Sequence, residues 1–142
     1  MPDKDYSHRD VTDKLGLKPD HRVRVVGVRA MHASPLLKLV REKTGKRFVG
    51  DAATADVILY YPQTILEIIP TLIKLKTQIE SSGGIWVITI KKGFEGYIKQ
   101  DDLIPLGAKA GLVDNKICSI SERESAMRFV IRKEDRGKQG NR

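Results

Sequence analysis

Three short, almost unbroken runs of β-branched and aliphatic residues constrain this chain more than anything else in it: RVRVVGV at 22–28, DVILYY at 56–61 and IWVITI at 85–90. Apolar runs of this length that do not alternate with polar residues belong to strands covered on both faces. A sheet buried on both sides needs helices above and below it, so the stretches between the runs must supply them.

Ser34-Pro35 opens the first such stretch, as a helix cap followed by proline, with Leu36, Leu37, Leu39 and Val40 on one face and Gly45 closing the far end. A short strand is expected around residues 46–49. Thr64 and Glu67 have the spacing of a capping box, and Pro70 would clash inside one continuous helix. The expectation there is a short turn and then a main helix over 70–81, stopped by Gly83-Gly84. A short amphipathic helix is predicted over 101–110, and strands at 116–120 and 127–132 are joined by SERES as an antiparallel hairpin. The sum is an α/β, three-layer, doubly wound, mainly parallel sheet ending in an antiparallel hairpin. Residues 1–20 read as a lead-in, 21–133 as a single α/β domain, and 134–142 as a basic disordered tail.

With 142 residues there is room for one core, and 40% hydrophobic residues are enough to fill it. No apolar run approaches the length of a membrane span and no export signal opens the chain. The lone cysteine, Cys118, leaves no pair for a disulfide, a redox motif or a zinc site, which suits a reducing cytoplasm. Against 26 Lys and Arg stand 18 Asp and Glu, a formal charge of +8 that favours anionic partners.

Three segments carry a resemblance: KLGLKP at 14–19, the Lys91-Lys92 pair that follows IWVITI, and GLVDNKIC at 111–118. Together they resemble a bacterial family known only as domain of unknown function 3052, over most of the chain. Glu124 departs from that family's pattern, where tryptophan precedes the serine. The family implies no mechanism. In layout, the run from Asp56 through GGIWVITIKKG and the closing hairpin is similar to the second half of a Rossmann-like methyltransferase, shortened. That resemblance implies an adenosyl cofactor held by a glycine-rich turn after the first strand and an acid after the second. Here the turn offers Gly27 alone, Asp51 is the candidate acid, and no room remains between Gly50 and Asp56 for the missing elements.

In open α/β sheets ligands bind outside the carboxyl ends of the strands. That rule selects Arg29, His32 and Ser34 after the first strand, Tyr61 after the second run and Lys91 and Lys92 after the third. Arg29 with the free amides and positive dipole end of the helix that Ser34-Pro35 opens would suit a phosphate or carboxylate. Cys118 reads as a packing residue, no serine sits in a nucleophile elbow, and His8, His21 and His32 are too scattered to hold a metal. A weaker nucleic-acid surface combines Arg132, Lys133, Arg136 and Lys138 of the tail with Arg41, Lys43, Lys46 and Arg47, but at 6% aromatic residues the chain offers it no stacking platform.

The favoured reading is therefore a non-enzymatic binding or regulatory domain, with no catalytic residues, metal or cofactor. Its carboxyl-edge crevice takes a small anionic ligand or an acidic segment of a protein partner. The alternatives are a degenerate methyltransferase-like enzyme or cofactor binder, and an auxiliary nucleic-acid binder using the basic tail.

Overall fold

A computed structural model describes residues 11–27 and 34–140. Five strands form one sheet in the order β1-β2-β3-β5-β4: β1 Val23–Val26, β2 Ala55–Tyr60, β3 Ile79–Ile90, β4 Leu112–Ser119 and β5 Glu124–Ile131. The first three run parallel and the last two return antiparallel as a hairpin on β3. Among the described residues, helices α1 Ser34–Thr44, α2 Ile68–Lys76, α3 Leu103–Lys109 and α4 Lys133–Gly140 accompany the sheet. Among the described residues, no helix is long and apolar enough to cross a membrane.

Strand pleating sends alternate side chains to opposite faces, and two cores result. On one face Ile58, Tyr60, Ile85 and Val87 pack against Leu72 and Leu75 of α2 and Leu103 of α3. On the other, Val57, Leu59, Trp86 and Ile88 pack against Leu37 and Val40 of α1. Val11, Leu15 and Leu17, from the helical turn at 11–14 and the residues after it, join this second core. The buried indole N–H of Trp86 donates to the Leu15 carbonyl at 3.0 Å.

Successive parallel strands that step one way across a sheet carry right-handed crossover helices on a single face. Here β1, β2 and β3 step one way, yet α1 and α2 lie on opposite faces, so the two connections have opposite hands. The cause is an excursion after α1. The chain passes the outer side of β1, where the Val49 amide donates to the Val23 carbonyl at 2.9 Å, before turning back into β2. The strand expected at 46–49 is thus reduced to an edge contact.

The second departure is larger. The main helix ends at Lys76, not Ser81, and β3 runs straight through Gly83-Gly84. Residues 80–83 stand opposite Asp56 alone as a wide bulge. A Cβ on Gly83 would collide with the Asp56 carbonyl, and one on Gly84 with the guanidinium of Arg128. These glycines mark close approach within a sheet, where the sequence pattern suggested a helix stop. Arg22 secures the bulge from below, its guanidinium donating to Glu80 at 2.7 Å and its amide to Asp56 at 2.8 Å.

Pro70 is the third residue of α2, preceded by a 3-10 turn at Ile65–Glu67, so its ring displaces no helical hydrogen bond. The Glu67 carboxylate accepts from the amides of Gln63 and Thr64 at 3.1 and 3.2 Å. At the other terminus, α4 lies against β3. Glu134 and Asp135 complement the dipole of its first turn, and the Arg136 side chain donates back to the Ile131 carbonyl at 2.9 Å.

Candidate functional site

The carboxyl end of β3 is built by a loop that folds back on its own strand. After Ile90 the chain turns through Gly93 and returns so that Tyr97 bridges to Ile90 and the Ile98 amide donates to the Ile90 carbonyl at 3.3 Å. The hairpin loop holds it from the other side. There the Lys91 amide donates to the Arg123 carbonyl at 2.8 Å, and the Arg123 guanidinium lies 5.2 Å from the centre of the Phe94 ring.

Under this loop lies a cavity of about 240 Å³, lined by Thr89, Lys91, Lys92, Lys99, Gln100, Asp101 and Ser125 among others. Three lysines and one aspartate are thus among its lining residues. Two further groups matter more: the Thr89 hydroxyl, on a residue 1% exposed, and the Gln100 side-chain nitrogen are both buried with no protein partner. Buried polar groups are paired in the great majority of cases, so two orphans in one cavity need an explanation. Both are donors, and together with lysines they match an acceptor-rich, negatively charged guest. The volume suits a small molecule or a single charged group.

The residues anticipated from sequence are distributed unevenly over the structure. Lys91 and Lys92 are brought together here, Lys91 half-buried with its ammonium donating to the Ser119 hydroxyl at 2.7 Å and Lys92 exposed. Tyr61 is fully buried in the core of the opposite face, beside Leu59 and Trp86, and does not join them. Ser34 is the first residue of α1. Arg29 and His32 lie outside the described residues. Arg132 and Lys133 are exposed at the start of α4, and Lys138 lies on the same helix. Thr89 and Gln100 were missed because nothing in a strand threonine or a loop glutamine signals an unpaired neighbour.

Cys118 is buried, and burial pushes its thiol up despite the neighbouring Lys14 and Lys116, as befits a packing residue. Among the described residues no cluster of His, Cys, Asp and Glu could hold a metal ion.

The chain matches the family described as protein of unknown function DUF3052 over residues 12–133. It belongs to the DUF3052 family. No curated protein matches it. Among solved structures, this DUF3052 protein is similar to a SAM dependent methyltransferase from Aquifex aeolicus, at 14% identity over 88% of this chain and 89% of that one, with a TM-score of 0.58. A TehB-like SAM-dependent methyltransferase from Corynebacterium glutamicum aligns at 10% identity over 88% of its length and 89% of this one, TM-score 0.55. The CcbJ methyltransferase from Streptomyces caelestis does so at 11% over 89% of its length and 88% of this one, TM-score 0.56. The DUF3052 chain thus has a methyltransferase-like, Rossmann-like fold.

The described residues do not fit the adenosyl cofactor that this fold likeness brings to mind. Gly27, with φ of 112°, is the glycine after β1, but a Cβ there would strike the Tyr61 carbonyl, so its bareness serves the packing of β1 on β2. Asp51, the candidate acid, sits in the turn before β2, at the amino end of the sheet. The cofactor crevice of such a sheet lies at the other end.

Proposed function

We propose that this protein is a non-enzymatic binding or regulatory domain, working in the cytoplasm, that takes a small carboxylate or phosphate compound, or an acidic side chain of a partner, under the loop after β3. The observation that carries the reading is the pair of orphaned donors, Thr89 and Gln100, buried beside Lys91, Lys92 and Lys99 in one cavity. A ligand there would satisfy both donors and face three positive charges against one negative.

Melting temperature against a panel of phosphate, sulfate, nucleotides, dicarboxylates and S-adenosylmethionine tests it. A ligand at 100 times its dissociation constant stabilises by about 2.7 kcal/mol, well within reach of a thermal shift. Lys92→Ala and Thr89→Val should each abolish the selective shift while leaving the fold intact. A shift that survives both substitutions would move the ligand elsewhere.

The likeness to methyltransferases favours a second reading, an adenosyl-cofactor binder. S-adenosylmethionine or its demethylated product would then give the largest shift, and one indifferent to Thr89→Val. No shift at millimolar cofactor would remove that reading.

A further inference from the structure

At the amino end of the parallel strands, on the opposite face of the sheet from the Thr89 cavity, a cleft of about 250 Å³ opens beneath the N-terminal turn. Its walls include Lys14, His21, Asp56, Trp86, Lys116 and Arg128. The charges do not balance. Asp56, the one carboxylate among these walls, is already engaged by the amide and guanidinium of Arg22. Asp13, next in sequence to Lys14, is paired with Lys43 at 3.2 Å. Lys14, Lys116 and Arg128 have no acidic partner among the described residues.

Arg128 is the centre of this arrangement. It stands in register between Trp86 on β3 and Lys116 on β4, all three side chains on one face. Its guanidinium lies close over the bare backbone of Gly84, where a single added methyl would collide with it. Half-buried against the sheet, with Arg136 as a further cationic neighbour, it is held below its ordinary pKa first by burial and then by that repulsion. Like charges directly opposed across a strand pair are destabilising. A chain that places Lys116 opposite Arg128 and brings Lys14 to the same cleft therefore keeps an unfavourable cluster that an anion would relieve.

We propose that this cleft is a phosphoryl-binding site, in which the Arg128 fork grips two phosphate oxygens and Lys14 and Lys116 neutralise the remaining charge. A phosphate monoester or free phosphate carries close to two negative charges at neutral pH, which matches a cluster of three cations better than a single carboxylate does. The planar guanidinium suits its oxygens bidentately. The site is separate from the Thr89 cavity and does not depend on it.

Trp86 is the only tryptophan and lines the cleft, so its emission reports occupancy. The full chain is titrated with glycerol 3-phosphate, inorganic phosphate and succinate at fixed ionic strength, and the wild type is compared with Arg128→Gln, Lys116→Gln and Thr89→Val. We expect a saturable change with the two phosphates. The response should weaken by about tenfold or more in Arg128→Gln, less in Lys116→Gln, and not at all in Thr89→Val. A tighter response to the monoester assigns the source to organic phosphates, and an equal one to the free ion. Without ligand, both cleft variants should melt at or above the wild-type temperature, because each removes a like-charge opposition. Lys116 is exposed on an edge strand, so its variant keeps the test open if Arg128→Gln does not fold. Succinate binding as tightly as either phosphate, the absence of any saturable change, or unchanged affinity in both cleft variants would overturn the proposal. So would a single-stranded oligonucleotide that outcompetes the monoester, since that would make the cleft part of a nucleic-acid surface.

Discussion

Tyr60 shows how one buried side chain ties a strand to the helix that follows it. Its ring is fully buried in the α2 core while its hydroxyl donates to the Glu67 carboxylate at 2.8 Å. Burial first, and the nearby carboxylate second, push the phenol above its ordinary value. Tyr60→Phe should cost about 1 kcal/mol in urea unfolding at neutral pH. Because the unfolded tyrosine ionises first, the wild type loses this advantage as pH rises above about 10, and the gap to the phenylalanine variant should narrow there. Asp56 works in the opposite sense. Burial raises its carboxyl, but the Arg22 amide and guanidinium outweigh that and hold it below its ordinary value. Its contribution is complete above the unfolded pKa of about 4 and is lost as pH falls through the folded one, so Asp56→Asn should flatten the acid limb of the stability profile. Thr89→Val, by removing an unpaired buried hydroxyl, should leave unliganded stability unchanged or raise it by up to about 1 kcal/mol, measured by the same unfolding. Sequence reading placed Lys91 and Lys92 after the third apolar run and Cys118 among the packing residues, because each placement follows from its immediate neighbours. It did not reach Arg128, whose meaning depends on Gly84, forty-four residues away.

At the level of elements, the apolar runs announced β1, β2 and the second half of β3 correctly, and Gly45 does close α1, with φ of 71°. What misled was Gly83-Gly84. A glycine pair after a helical pattern reads as a stop, whereas here the first residue of that pair abuts the Asp56 backbone. Backbone cannot yield as a side chain can, so Gly83→Ala should destabilise by about 1–3 kcal/mol through overpacking, in spite of alanine's smaller entropic cost in a strand. The lead-in proves to be an element too. Leu15 is 1% exposed, and Leu15→Ala should cost about 2–5 kcal/mol by chemical denaturation, as expected of a core leucine. The same substitution should shift the emission of Trp86 to the red, since the indole is covered by that turn.

For the molecule as a whole, the α/β class and closing hairpin were legible because hydrophobic periodicity encodes them. The opposite hands of the two crossovers were not, since face and hand are properties of three-dimensional connection. The excursion that produces them, around residues 50–54, holds its shape by little more than a turn between Gly50 and Ala53. Flexible insertions there should be tolerated, at about 0.6 kcal/mol for each doubling of loop length, as read from unfolding midpoints. The sheet's two outer strands also differ in kind. Val49 occupies a position along β1, while on β4 the extra residue Asn115 breaks the ladder between Asp114 and Lys116, with Ile117 left 55% exposed beside it. A broken ladder with a charge at its centre cannot template a copy of itself strand by strand. The kink that spoils one hydrogen-bond register thus blunts the edge on which the exposed isoleucine sits against pairing with a neighbouring molecule.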